Sequence, residues 1–295
     1  MKCDKCGYDQ PDEALSCNLC GAVFRKEATP GYPAPTEQPV FIEEEVLAPS
    51  GLDREGLIST AIAVGITGLI FLWPFLSYIF SYLGVIIHEG GHALFGWLLG
   101  YPSIPSIDLN FGGGVTLWWS KSYFLVGIVF FLLAAAAGWA YWRGRVLIFF
   151  IIVAIAGVYS FFALTGYGEC LILLMGHGTE IFVGAVFLYF CLSGSPPVVS
   201  YDRALYGASG LFLLTNNFVF AMRLATDVNY LADYGEAKGG GNWMDFDRIG
   251  RDYLHVTTPH FALAFAFLCF GALVAGLLLW RYAAYWRDWL RRLFA

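Results

Sequence analysis

The residues with the clearest chemistry are His88-Glu89-Gly90-Gly91-His92. Two histidines four positions apart on an α-helix lie about 40° apart around the axis and one turn apart along it, so both imidazoles reach one Zn²⁺. Glu89 projects about 100° from His88, beside the ion, where it takes a proton from zinc-bound water and passes it to a leaving amine. A catalytic zinc also needs a third protein ligand and an open position. Few other ionisable residues fall within apolar stretches: Glu169, His177, Glu180 and Arg223. His177 and Glu180 share one helix face three residues apart, and either supplies a third ligand. If Glu180 ligates, His177 orients it or meets substrate; if His177 ligates, Glu180 accepts its other ring N–H. Without a metal, the same pair reads as a hydrogen bond between helices. Asn216 and Asn217 contact a substrate strand or join helices. Arg223 snorkels, and His255 and His260 are ordinary polar positions.

A second constellation lies at the N-terminus. Cys3-x-x-Cys6 and Cys17-x-x-Cys20 are each followed by glycine, Gly7 and Gly21. Paired CxxC turns deliver four thiolates to one tetrahedral zinc, and so short a segment needs the metal to fold. The pattern resembles the small zinc-ribbon family. Reduced thiolates place this end in the cytoplasm. Cys170, Cys191 and Cys269 sit singly in apolar segments as small buried hydrophobes.

The elements that must position these residues follow from composition. Of 295 residues, 58% are hydrophobic and 14% charged, far from the roughly one-quarter charged of soluble chains. This is an integral, multi-pass membrane protein. The net charge of −6 comes with no basic stripe interleaved with aromatics, so nucleic acid is not an expected partner. Residues 1–24 form the ribbon, 25–56 an acidic, Pro-rich flexible linker, and 57–295 the membrane domain. Spans are expected at 57–73, 75–99, 122–142, 145–165, 168–192, 207–226 and 259–281. The stretch 103–121, with Gly112-Gly113-Gly114, is too polar to span and reads as a β-hairpin beside the histidine helix, its tryptophans at headgroup level. Residues 227–258 read as a polar loop. The fold class is mainly α, a polytopic helix bundle of six to seven spans with one hairpin. Seven spans would put the Arg-rich tail outside the cytoplasm, against the positive-inside tendency. The short 57–73 segment is the one expected not to cross.

The stretch from His88 to Leu94, with Gly112-Gly113-Gly114 downstream, resembles the site-2 protease family of intramembrane zinc metalloproteases over about residues 75–192. That resemblance implies zinc at His88 and His92, Glu89 as catalytic base, and a membrane protein or peptide as substrate. The family takes its third ligand from an Asp-Gly pair on a later span, and no Asp-Gly dipeptide occurs in this chain. The leading expectation is a membrane-embedded zinc endopeptidase. The competing one is a non-catalytic adaptor, with a structural metal in the membrane and a ribbon that recruits a cytoplasmic partner.

Overall fold

The computed structural model describes residues 2–3, 5–9, 50–108, 113–194, 202–237 and 243–294. The chain divides into two units, Met1–Val46 and Leu47–Ala295. In the first, Gly7 adopts φ 73° and its N–H donates to the Cys3 carbonyl at 2.8 Å, while the Cys3 N–H donates to Tyr8 at 3.0 Å. A turn of this kind needs glycine at its left-handed position. Cys3 is buried and Cys6 exposed. Cys17 and Cys20, the linker up to residue 49, and Gly112 lie outside the described residues.

The second unit is a helix bundle. Its long helices are α1 (Arg54–Leu72), α2 (Pro74–Leu98), α3 (Tyr123–Trp142), α4 (Val146–Leu164), α5 (Tyr167–Ser193), α6 (Asp202–Thr226) and α9 (Thr258–Arg281). Pro74 takes the first position of α2, where its missing N–H costs nothing. Strands β1 (Ser103–Asp108) and β2 (Gly113–Trp118) form an antiparallel hairpin with Ser103 opposite Trp118. Its alternation turns Gly114, Thr116 and Trp118 inward and Val115 and Leu117 outward. Trp118 is half-buried against the Leu173–Phe265 and Leu99–Ile172 clusters, whereas Trp119 is exposed.

The stretch 227–258 is not the plain loop expected. It contains α7 (Val228–Glu236), α8 (Asp245–Arg248) and a π-helix, Ile249–Leu254. Phe246 and Ile249 explain this: each is 1% exposed, in a core with Phe261 and Phe265. Burying side chains of this size stabilises by about 1.5–3 kcal/mol each, enough to hold a short polar segment against the bundle. The chain ends in α10 (Ala283–Phe294).

Six helices, α1, α3, α4, α5, α6 and α9, are long and apolar enough to cross a membrane. Helix α2 falls outside that set because its motif is polar. The contacts fix directions. Gly56 and Asp53, at the start of α1, meet Arg203 at the start of α6. Ile70, near the end of α1, packs on Phe212 and Leu213, only half-way along α6. Helix α2 continues from there to the opposite end, where Leu99 packs with Ala163 and Ile172. Together α1 and α2 thus make one traversal. Five more, by α3, α4, α5, α6 and α9, return the chain to its entry side, where the Ser50 N–H donates to the Arg281 carbonyl at 2.7 Å. The entry segment and basic α10 therefore share one end of the bundle.

Candidate metal centre

Helices α2 and α5 pack unusually closely around the motif. A β-carbon on Gly176 would lie 2.5 Å from His92 Nε2 and 2.7 Å from His88 Cε1; one on Gly91 would meet the Met175 carbonyl. Small residues at such crossings let backbones approach, the usual device of membrane helix packing. Here the approach brings α5 directly over both imidazoles.

His88 Nε2 and His92 Nε2 are 3.0 Å apart, and Asp245 Oδ2 lies 3.0 Å from the first and 3.1 Å from the second. A tetrahedral zinc with ordinary bond lengths spaces its donors by about 3.3 Å, so this triangle fits such an ion with a slight opening. Both outer nitrogens are engaged away from the triangle. His92 Nδ1 donates to the Ile172 carbonyl at 2.7 Å, and His88 Nδ1 donates to Glu180 Oε1 at 2.8 Å. Each of these bonds puts the ring proton on Nδ1 and leaves the Nε2 lone pair for a metal.

Glu180 and His177 form a second group, with His177 Nδ1 3.2 Å from Glu180 Oε1. Asn217, 1% exposed, locks this group: its amide donates to Glu180 Oε2 at 2.7 Å, and its carbonyl accepts from His177 Nδ1 at 2.9 Å. The His177 ring stacks on Phe220 at 4.8 Å and meets Phe246 edge-on at 5.1 Å. The structure thus brings both to His88: Glu180 at its Nδ1, and the His177 ring edge-on against the imidazole at 4.4 Å. Among the described residues, two sets of possible ligands share His88: His88, His92 and Asp245, and His88, His177 and Glu180. Asn216 is half-buried, and the Arg223 guanidinium stands 4.4 Å over the Tyr230 ring.

Asp245 is the residue that sequence reasoning missed. It opens α8, whose neighbouring Phe246 N–H donates to the Tyr234 hydroxyl at 3.2 Å. Asp247, one turn position on, accepts from Thr258 Oγ1 at 2.5 Å. The short helix is thereby tied to both α7 and α9.

Glu89 is 5% exposed. Thr116 of β2 holds it, donating to Glu89 Oε2 at 2.6 Å with the Glu89 carbonyl also 3.0 Å away. A β-carbon on Gly114 would lie 2.7 Å from Glu89 Oε1, so the hairpin comes this close only because glycine stands there. His88, Glu89, Gly114, His177, Tyr234 and Asp245 border one cavity of about 370 Å³. Nearby, Glu169 in the first turn of α5 accepts from the hydroxyls of Tyr101 and Tyr253, each at 3.2 Å, linking the hairpin's base to the π-helix. Partial burial and the Glu169 carboxylate push both phenols up to about 12. His260 Nδ1 pairs with Thr257 Oγ1, and His255 caps the π-helix at φ 53°, so neither joins the centre.

Comparison with protein-family models, with curated proteins and with solved structures finds no match for this chain.

Proposed function

We propose that this protein is an intramembrane zinc endopeptidase acting on membrane-associated polypeptides, with His88, His92 and Asp245 as zinc ligands and Glu89 as general base. The observation that carries this reading is the triangle of donor atoms at 3.0–3.1 Å. Its outer nitrogens are already hydrogen-bonded, and a base-bearing cavity lies alongside. A zinc ion held there supplies Lewis-acid polarisation and acidifies water. Glu89 accepts the proton of the attacking water and returns it to the leaving nitrogen. Thr116 fixes one Glu89 oxygen and leaves the other free to exchange that proton. Glu180 orients His88 and raises its basicity, while Asn217 and His177 hold Glu180 in place. Because Glu180 sits at Nδ1 of the His88 ring, away from Nε2, and the His177 imidazole is held by Glu180 and Asn217, neither is engaged as a fourth donor to the triangle. That arrangement favours a catalytic centre over the closed metal site of an adaptor.

The resemblance to the site-2 protease family fits this reading, with Asp245 in the role that the family gives to an Asp-Gly aspartate. Asp245 is followed by Phe246, so it occupies the role by geometry and not by motif. The tight Cys3–Gly7 turn fits a metal-binding ribbon at the N-terminus, and the need for reduced thiolates is the ground for placing it in the cytoplasm. Zinc content of purified protein tests the assignment. Asp245→Ala and His88→Ala should each remove one equivalent, and Glu89→Gln should keep it while slowing cleavage of a fluorogenic membrane-peptide library by about 10²–10⁴. Full zinc in both ligand variants would refute the centre.

A further inference from the structure

A basic pocket lies at the opposite end of the bundle from the metal centre. The α3–α4 turn is tight, with Gly144 at φ 70°, and it presents Arg143 and Arg145 on either side. With Arg292 and Trp289 of α10 these two arginines border a cavity of about 520 Å³. The Arg143 guanidinium meets the faces of Trp139 and Trp142, both at 5.9 Å, and no carboxylate among the described residues pairs with it. Cation–π contact leaves guanidinium N–H edges available to an anion. Arg292 pairs with Asp288 at 2.8 Å, but its side chain is 77% exposed. The remaining wall is apolar, including Leu147 and Leu293, and Val146 and Leu147 are more than half exposed.

A soluble anion would gain nothing from that wall, whereas an acyl chain would. The surroundings point the same way. Helix α10 sets Trp286 and Trp289 among Arg287, Arg291 and Arg292, the composition of a helix lying in the membrane interface. It is pinned by Arg287, which donates to the Tyr189 hydroxyl at 2.6 Å. Arg203, Arg281 and the turn arginines share this end, which the positive-inside tendency assigns to the cytoplasm. That leaflet carries the anionic lipids, and basic pockets between spans there bind their headgroups.

We propose that the pocket formed by Arg143, Arg145 and Arg292 binds the headgroup phosphate of an anionic phospholipid, whose acyl chain lies along Val146, Leu147 and Leu293. The site is independent of the metal centre. The test uses the full chain purified in neutral detergent, with phosphatidylglycerol or phosphatidylcholine added, and native mass spectrometry to count retained lipid. Wild type should retain phosphatidylglycerol at least tenfold more than phosphatidylcholine. The triple variant Arg143→Gln, Arg145→Gln, Arg292→Gln should lose that preference while keeping its melting temperature in detergent. Arg287→Gln, on the same helix but bound to Tyr189, should keep it. Equal retention of both lipids by wild type would overturn the proposal, as would an unchanged preference in the triple variant. Displacement of phosphatidylglycerol by an equal concentration of glycerol phosphate would also overturn it, because the site would then recognise the free anion. If the triple variant melts early, each single Arg→Gln variant is measured instead, and preference retained in all three counts against the site.

Discussion

Helices α3 and α4 differ sharply from α5 and α6. In the first pair only 11% of the spanning window is buried inside the protein, against 33% and 44% in the second. The α3–α4 pair is almost purely apolar, and its surface faces outward. The α5–α6 pair carries His177, Glu180 and Asn217 in its interior and packs through Gly184 and Gly210, where a β-carbon on either residue would crowd the other helix's backbone. The lesson concerns where polarity sits. The most hydrophobic spans anchor the molecule, and the less hydrophobic ones build its site, because polar groups within a bilayer must find partners in the protein.

Glycine substitutions should show the largest contrast. Gly176→Val would drive a side chain into His92 and His88, and we expect about 3 kcal/mol of destabilisation together with loss of bound zinc. Gly157→Val on α4, with nothing within 4 Å of its added carbon, should change neither. Thermal unfolding in detergent and zinc content check both, and equal effects would erase the distinction.

A smaller effect is expected from removing one polar partner in each pair. Asn217→Leu leaves Glu180 and His177 short of partners and should cost about 1–3 kcal/mol, with a 10–100-fold fall in zinc affinity. Ser160→Ala on α4 removes only a bond to its own helix at Ala156 and should cost under about 0.5 kcal/mol. A competition titration with a zinc chelator separates the two.

Smallest of all is the clamp at the entry end. Arg203 donates a hydrogen bond that holds the Asp53 carboxyl below its ordinary 3.8. A depressed folded pKa means that this contribution is complete above the ordinary value and is lost as pH falls through the folded one. Melting of wild type minus that of Asp53→Asn should be flat from neutral pH down to about 4 and shrink below it. A difference that grew on acidification would contradict the clamp.

Much of this contrast is legible in the sequence. Apolar run lengths place the spans within a few residues, and Gly-rich, alternating 103–121 reads as the hairpin it is. The HExxH spacing predicts two imidazoles on one face, and His177 and Glu180 do arrive beside them. What does not read out depends on packing over distance. Asp245 is one of several acids in a polar stretch, and nothing in its spacing relates it to His92. The one local signal is that Trp243, Met244, Phe246 and Ile249 interrupt the polarity around it, which marks a segment that docks. The angle of α1 is similarly hidden. Charge parity singles it out as the segment that does not cross, but only its contacts with α6 show that it stops half-way.

The separation of the candidate ligands along the chain has a consequence for biogenesis. Helix α2 emerges carrying His88, Glu89 and His92, yet the carbonyl that orients His92 comes 80 residues later and Asp245 comes 153 residues later. At about 5–20 residues per second, Asp245 follows His92 after roughly 8–30 s. During that interval α2 carries groups whose burial costs several kcal/mol on insertion scales, of order 2.5–3.5 kcal/mol for a charge at mid-helix. Leaving the insertion machinery early would expose those groups to lipid with no partner. Helix α2 gains its polar partners only once α5 and α8 exist, which places assembly of the candidate centre late in building the protein.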